Sequence, residues 1–162
     1  MRKLISISFL LSIAFLLQTA CTIVKPIPDQ FSILINTASD LNPDNEGRPS
    51  PLVIRIYELN DDKMFKDKDF FDLYDNDSDV LEKTLLKKQE MELNPNESRK
   101  LDLILDEKTT HIAFLAAYRD IDNATWRESI QIKSKKSTGL LVQEKRSIVV
   151  DLKKNKIVTS LK

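Results

Sequence analysis

Residues 52–59 read LVIRIYEL, a run in which apolar side chains recur at every second position. In a β-strand such positions share one face, so Leu52, Ile54 and Ile56 would point together into a core while Arg55 lies on the opposite face. The run has the length of an ordinary strand. It therefore predicts a β-strand in a sheet that has a buried face.

The same alternation recurs along the rest of the chain in seven further short stretches. One of them, 111–118, is apolar on both sides, which is typical of a central strand. Turn signals separate the stretches, and residues 153–155 predict a hairpin between the last two. Eight such strands predict an all-β fold, a two-sheet β-sandwich. The seven stretches are 31–36, 88–93, 99–105, 111–118, 126–132, 147–152 and 156–161.

The interval between the second and third predicted strands departs from this pattern. Residues 64–74 carry large apolar and aromatic side chains at mixed spacings. They predict a short added helix, which we expect to pack on the edge or end of a sheet. Residues 79–86 predict a further helical turn, because Asp79 and Glu82 have the spacing of a capping box.

The composition narrows the classes of function. The chain has 162 residues, with 25 Lys and Arg against 25 Asp and Glu, and its 31% charged and 41% hydrophobic residues fit a soluble globular domain. The balanced charge argues against a nucleic-acid-binding protein, which usually has a basic surplus on one face. One cysteine excludes an intrachain disulfide and every multi-cysteine metal site. Two glycines are too few for a phosphate-binding loop.

The N-terminal segment has the pattern of an export signal. Two basic residues precede fourteen uncharged residues, 4–17, and a helix of that length would span about 21 Å, less than the roughly 30 Å hydrocarbon core of a bilayer. Residues 18–21, QTAC, resemble the cleavage site of bacterial lipoproteins, although Gln18 stands where leucine is usual. We expect cleavage before Cys21 and acylation of this cysteine. The alternative is an ordinary secretory signal with a chance cysteine.

These features divide the chain into three parts. Residues 1–20 form the predicted lipoprotein signal peptide, residues 21–30 the lipidated N-terminus and tether, and residues 31–162 the β-sandwich domain. Two prolines keep the tether out of regular structure, and residues 22–30 would reach roughly 30 Å when extended. Thr22 stands where an aspartate commonly signals inner-membrane retention, which favours the inner leaflet of the outer membrane.

The connection between the first two predicted strands is unusually long, at fifteen residues, 37–51. Three prolines stiffen it, so we expect it to hold a defined shape. A stiff, protruding loop loses less entropy when it binds a partner. A rigid cover that protects a strand edge is an equally good interpretation. Arg48 likewise suits either a hydrogen bond to a partner or a brace against Asp44 or Glu46.

Motifs along the whole chain, each weak alone, form an ordered set. They are LNPD at 41–44, GRPSP at 47–51 running into the strand at 52–59, DFFDLY at 69–74, LNPNES at 93–98, AAYRD at 116–120 and WR at 126–127. Together with the lipoprotein cysteine, they resemble the TssJ family (also SciN or VasD), the outer-membrane lipoproteins of the type VI secretion system. The family's Leu-x-Pro-Gly-Glu turn has Asn96 in place of glycine here, and asparagine tolerates a left-handed conformation.

The resemblance implies a transthyretin-like β-sandwich with an added helix, anchored through lipid on Cys21 and facing the periplasm. It implies a partner as well, the periplasmic C-terminal region of the inner-membrane protein TssM, within the TssJ–TssL–TssM complex. In the family the loop between the first two strands is linked to TssM binding, and by position this loop is 38–51. The residues expected to bind the partner are Asn42, Pro43, Asp44, Glu46, Gly47, Arg48, Pro49, Ser50 and Pro51.

Two other hypotheses belong to different classes of function. A periplasmic lipoprotein that binds a small ligand would need a cavity between the sheets, and the predicted inward faces offer no set of polar side chains for it. An envelope hydrolase would need a nucleophile and a base, yet no Gly-x-Ser-x-Gly motif accompanies His111, which we expect at a strand end near solvent. Residues 75–86 begin like a calcium loop but lack its later ligands. We expect no enzyme, no metal site and no cofactor besides the covalent lipid.

Overall fold

The computed structural model describes residues 30–132 and 146–162. The predicted signal peptide, Cys21 and the tether up to residue 29 lie outside the described residues. The predicted all-β fold, a two-sheet sandwich of eight strands, is confirmed. In chain order the strands are β1 Gln30–Thr37, β2 Leu52–Leu59, β3 Leu85–Leu93, β4 Ser98–Ile104, β5 His111–Ala116, β6 Arg127–Gln131, β7 Arg146–Leu152 and β8 Ile157–Leu161.

Each sheet contains four strands. The first sheet has the order β4-β1-β7-β8 and the second sheet the order β3-β2-β5-β6. Strand β1 runs antiparallel to β4 but parallel to β7, whereas neighbours in the second sheet are antiparallel. In the parallel pair, Phe31 lies opposite Arg146 and Thr37 lies opposite Leu152. The first strand of the domain is therefore held between strands from the middle and the end of the chain.

Side chains from the inner faces of both sheets form one core. Ile33 of β1, Ile54 of β2, Phe114 of β5 and Ile148 of β7 are all fully buried in it. Burying one side chain of this size contributes roughly 1.5–3 kcal/mol relative to leaving it exposed. The period-two spacing of these residues therefore decides which face of each sheet turns inward.

Two helices take the place of the single helix predicted over 64–74. Helix α1 spans Lys63–Asp67 and helix α2 spans Phe70–Leu81. The break between them has a local cause. Asp69 is extended, and its side chain accepts a hydrogen bond of 2.8 Å from the backbone N–H of Asp72, which caps the start of α2.

The predicted capping box at Asp79 and Glu82 is wrong. Asp79 lies inside α2, and Glu82 adopts a φ of +34° just after the helix ends. A 3-10 turn spans Glu82–Thr84, and β3 begins at Leu85, three residues before the predicted start. Because Leu85 pairs with Leu59 of β2, strand pairing overrides the local helical signal.

Both helices cover the outer face of the second sheet, rather than its edge or end as expected. Phe65 of α1 and Leu73 and Leu81 of α2 are buried there against β2 and β5. The ring of Tyr57 from β2 lies 5.6 Å from the ring of Phe65, centroid to centroid. This second apolar cluster lies on the side of the sheet opposite to the sandwich core.

Strand β5 is buried on both faces for this reason. Ile112 and Phe114 belong to the core between the sheets, whereas Ala113 and Leu115 belong to the cluster under the helices. Its neighbours are β2 and β6. The prediction that 111–118 contains a central strand is confirmed.

A buried carboxylate holds α2 to the second sheet. Asp77 is 5% exposed and accepts hydrogen bonds from Lys88 Nζ at 2.9 Å, Tyr57 Oη at 3.0 Å and Arg55 Nη1 at 3.3 Å. Arg55 also donates through Nε to Glu90 at 2.5 Å. Burial alone would raise the pKa of Asp77, but the hydrogen bonds from Lys88 and Tyr57 outweigh it and hold the pKa below its ordinary value.

We expect Asp77→Ala to lower the free energy of unfolding by about 2–4 kcal/mol, because it removes the counter-ion of Lys88, leaves the half-buried Arg55 with Glu90 as its remaining carboxylate partner, and takes the acceptor from the buried hydroxyl of Tyr57. Urea unfolding at neutral pH, followed by circular dichroism, measures the loss. Asp75→Ala is the matched control, since Asp75 is exposed on the same helix, and its effect should stay within about 0.5 kcal/mol. Equal urea midpoints for the two variants would contradict the role of Asp77.

The same carboxylate predicts a pH dependence of stability. Because the pKa of Asp77 is lower in the folded protein than in the unfolded chain, its contribution is fully present above the unfolded pKa of about 4 and is lost as the pH falls through the folded pKa. We expect the stability difference between the wild type and Asp77→Ala to shrink below about pH 4. Urea titrations across the acidic range test this. A difference that stays constant under acid would assign the effect to packing rather than to charge.

Candidate docking site

The connection from β1 to β2 folds over one end of the sandwich. Leu41 is fully buried and belongs to the core between the sheets. The backbone N–H of Ser50 donates to the carbonyl oxygen of Leu41 at 3.0 Å, and the N–H of Leu41 donates to the carbonyl oxygen of Ala38 at 3.3 Å. The two arms of the loop are therefore held side by side, and the loop covers an end of the core rather than a strand edge.

Asn42 fixes the base of the loop to the rest of the domain. Its side chain donates to the carbonyl oxygen of Pro51 at 2.7 Å and accepts from the backbone N–H of Arg119 at 2.9 Å. Its own backbone N–H donates to the carbonyl oxygen of Lys154 at 3.0 Å. The residue is 4% exposed and has a φ of +45°, a conformation that asparagine adopts more readily than most residues. Asn42 thus joins three separate segments of the chain.

Asp44 organises the tip of the loop. One oxygen, Oδ1, accepts from the backbone N–H groups of both Glu46 and Arg48 at 2.9 Å. The backbone of Asp44 pairs with the carbonyl oxygen of Arg48, and its own carbonyl oxygen accepts from Gly47, whose φ is +80°. The hydrogen bonds from Arg48 are the main reason why the pKa of Asp44 lies below its usual value. The tip is therefore a closed, hydrogen-bonded turn.

Arg48 braces this turn while remaining open to solvent. Its Nε donates to Asp44 Oδ2 at 2.8 Å, and its Nη1 lies 3.0 Å from Glu46 Oε2. The side chain is nevertheless 69% exposed. The brace expected from the sequence is therefore present, and the outer side of the guanidinium stays accessible to a partner.

The nine predicted binding residues divide into a buried base and an exposed tip. Asn42 and Ser50 are buried, and Pro43 and Asp44 are half-buried. The remaining five form the exposed part of the site: Glu46, Gly47, Arg48, Pro49 and Pro51. The structure brings all nine together at one end of the sandwich, but only the tip can contact a partner without disturbing the core. We call residues 44–49 the loop tip.

The turn between β3 and β4 supports the start of the loop. Thr37 Oγ1 donates to the carbonyl oxygen of Asn94 and accepts from the backbone N–H of Glu97, both at 2.7 Å. Asn96 has a φ of +60°, so the left-handed conformation expected for this substitution is confirmed. Its backbone N–H donates to the carbonyl oxygen of Ala38 at 3.2 Å.

Two segments flank the loop, and no pattern in the sequence indicates that they lie there. They are the β7–β8 hairpin at 153–156 and the segment that follows β5 at 117–119. The backbone N–H of Arg119 donates to the side chain of Asn42, and the carbonyl oxygen of Lys154 accepts from the backbone N–H of Asn42. Both segments contribute backbone groups to these bonds, so neither the AAYRD motif nor the predicted hairpin indicates the contact with the loop.

The described residues offer little to the two alternative hypotheses. A depression on the described surface holds about 10 Å³, room for roughly one water molecule, and is lined by Ile56, Glu58, Lys87, Lys88, Gln89 and Leu103. Ser129 Oγ donates to Asp62 at 2.5 Å, whereas His111 Nε2 lies 3.7 Å from the other oxygen of Asp62. Ser129 is thus bonded to the carboxylate and not to the imidazole, which is not the arrangement of a nucleophile with its base.

The described ranges, 30–132 and 146–162, offer neither a cluster of metal ligands nor a helix that could cross a membrane. Among the described residues, no three His, Cys, Asp or Glu side chains are grouped so that they could hold a metal ion. Asp77, part of the calcium-like run, is bonded instead to Lys88 and Tyr57. None of the helices in these ranges has the length and apolar character needed to cross a bilayer.

Comparison with known proteins places this geometry in a family. The family model for type VI secretion lipoproteins (VasD, EvfM, TssJ) matches residues 29–155. The type VI secretion lipoprotein TssJ1 from Pseudomonas aeruginosa is 33% identical, with 84% of this chain and 98% of that chain covered and a TM-score of 0.75. No curated protein sequence matches closely enough to add to these findings.

Two more distant structures share the fold. Lip from Serratia marcescens, a membrane-bound component of the type VI secretion system, is 23% identical, covers 84% of this chain and 99% of its own, and has a TM-score of 0.75. A chain in a structure described as the TssM C-terminal domain from EAEC is 20% identical, with coverages of 81% and 97% and a TM-score of 0.63. The family model and the match to TssJ1 together show that this chain belongs to the TssJ family of type VI secretion lipoproteins.

Proposed function

We propose that this protein is held at the inner leaflet of the outer membrane by lipid on Cys21 and docks the periplasmic C-terminal region of TssM. In this role it helps to assemble the TssJ–TssL–TssM complex, and it catalyses no reaction. The observation that carries the proposal is the loop 38–51, in which an exposed, hydrogen-bonded tip stands on a base buried in the domain core.

The loop tip is organised before any partner binds. Asp44 accepts two backbone hydrogen bonds, and Arg48 bridges Asp44 and Glu46. A surface that is already ordered loses little conformational entropy on binding, so more of its contact energy contributes to affinity. Arginine is also enriched among the residues that dominate interface energies. A braced but solvent-exposed Arg48 fits this role.

The position of the loop suits a protein that extends away from its anchor. Strand β1 begins at Gln30, next to the proposed tether, and ends at Thr37, where the loop begins. Eight strand residues span about 26 Å. The loop tip therefore lies at the end of the domain opposite to the tether. A lipid-anchored domain would thus present this end to the periplasm.

Family membership and the named relatives support the assembly role. Lip is described as a membrane-bound component of the secretion system, and a chain with the same fold occurs in the structure named for the TssM C-terminal domain.

We expect substitutions in the loop tip to lower the affinity for TssM without lowering the stability of the domain. We expect the double variant Glu46→Ala, Arg48→Ala to weaken binding to the purified periplasmic C-terminal region of TssM by about tenfold or more, because Arg48 would contribute as an interface residue. Its melting temperature should change by no more than about 2 °C, since exposed ion pairs contribute little to stability. Biolayer interferometry and thermal unfolding measure the two quantities.

The matched control for this double variant is Lys100→Ala, Asp102→Ala. These residues form an exposed ion pair of 3.1 Å on β4, so the control removes a similar pair outside the loop. It should keep wild-type affinity. If both double variants bind TssM as tightly as the wild type does, the loop tip is not the docking surface. If neither the variants nor the wild type bind TssM, the proposed partner is wrong.

We expect the loss of the lipid anchor to change the location of the protein without changing its stability. We expect Cys21→Ser to abolish the incorporation of radiolabelled palmitate and to move the protein from the outer-membrane fraction to the periplasmic fraction. The melting temperature of the domain should stay unchanged, because Cys21 precedes the first strand. Thr22→Ser serves as the control for a change beside the cleavage site. A Cys21→Ser protein that still fractionates with the outer membrane would rule out the lipid anchor.

A further inference from the structure

The β7–β8 hairpin lies directly against the base of the loop. The carbonyl oxygen of Lys154 accepts from the backbone N–H of Asn42 at 3.0 Å, and that of Lys153 accepts from Tyr118 Oη at 3.2 Å. On its other side, the backbone N–H of Thr125 donates to the carbonyl oxygen of Asn155 at 3.0 Å. The hairpin is thus fixed in place beside the loop by hydrogen bonds to its backbone.

These contacts leave the lysine side chains of the hairpin free. Lys153, Lys154 and Lys156 are exposed, and so is Arg119 next to the loop base. None of these four cations forms an ion pair with a described residue. Exposed cations elsewhere in the described ranges commonly have a carboxylate partner within 4 Å, as Lys63, Lys66, Lys87, Lys88 and Lys100 do.

At this end of the sandwich, negative charge predominates in the loop and positive charge in the neighbouring hairpin. The loop 38–51 carries three acids and one base, whereas the hairpin 153–156 carries three bases and no acid. Arg119 stands beside the loop and helps to lower the pKa of Asp44. Two further acids, Asp120 and Asp122, follow Arg119, and Asp120 accepts from the side chain of Asn123. The hairpin therefore forms the basic part of a surface whose other part is acidic.

We propose that the docking surface continues from the loop tip onto the hairpin, and that Lys153, Lys154 and Lys156 bind a carboxylate-rich surface of the docking protein. This inference rests on the proposed function and adds the chemistry of the partner. Opposed charges at the rim of an interface accelerate encounter and select the correct orientation. A surface with both signs of charge admits its partner in one orientation and repels the reversed one.

A protein partner fits this surface better than an anionic membrane does. The hairpin lies at the end of β7, where Leu152 pairs beside Thr37, the end of the domain opposite to the start of β1. A membrane that holds the lipid anchor would therefore face the other end. The acids of the loop, among them Asp44 and Glu46, would also repel lipid phosphates at this end.

The test is a charge reversal of the hairpin, Lys153→Glu with Lys154→Glu and Lys156→Glu, in the domain that starts at residue 22. We expect its affinity for the periplasmic C-terminal region of TssM to fall by about tenfold or more at low salt and by much less at high salt, because screening removes the attraction that the wild type gains. Most of the loss should appear in the association rate. The corresponding triple glutamine variant should show about half of the effect on a logarithmic scale, and it replaces the glutamate variant if that protein does not fold.

The matched control reverses three exposed lysines at the opposite end of the domain, Lys83→Glu with Lys108→Glu and Lys162→Glu. It changes the net charge by the same amount and should lose less than about threefold in affinity. The inference is wrong if the two triple variants lose the same amount of affinity for TssM, or if neither loses any. In both cases the proposed function still stands, provided that the wild type binds TssM. A wild type that does not bind TssM overturns both. Binding to vesicles that contain phosphatidylglycerol is measured as well. If the hairpin variant loses vesicle binding but keeps its affinity for TssM, the hairpin binds a membrane and the inference is wrong.

Discussion

Strands β2 and β5 carry apolar side chains on both faces, so the second sheet must be covered on two sides. The first sheet covers one side, and α1 and α2 cover the other, where Phe65, Leu73 and Leu81 are buried. The helices are also attached through a polar group, because the buried Asp77 faces the sheet and accepts hydrogen bonds from Tyr57 of β2 and Lys88 of β3. Both faces of the second sheet are therefore occupied within the domain itself.

The sequence predicts the strands well, because a side-chain period of two is imposed by burial at every step of a sheet. Residues 52–56 show this clearly, and they lie in β2. Residues 111–118 are apolar on both sides instead, and they contain β5, which is buried on both faces. The helical region was predicted less well. The side chain of Asp69 divides it in two, and the start of β3 at Leu85 is decided by pairing with β2 rather than by local preference. The placement of the helices on a sheet face follows from contacts that a single sequence does not display.

The length and prolines of the loop indicate an unusual segment, but they cannot divide it into a base and a tip. That division depends on Asn42, which reaches Arg119 and Lys154, 77 and 112 positions further along the chain. A polar residue in a loop is as easily interpreted as a binding residue as a structural one. The structure assigns Asn42 and Ser50 to the support and leaves Glu46, Arg48 and Pro49 exposed.

The central place of β1 in the first sheet has a mechanical consequence. A load between the anchor and the docking partner would enter at Gln30 and leave at Thr37, and would therefore run along the axis of β1. Its backbone is bonded to β4 on one side and β7 on the other. Such a pull strains the hydrogen bonds of two ladders in shear and all at once, whereas an edge strand pulled across its axis would peel away one bond at a time. A domain anchored and docked as proposed would thus carry tension along β1 without unravelling from one end.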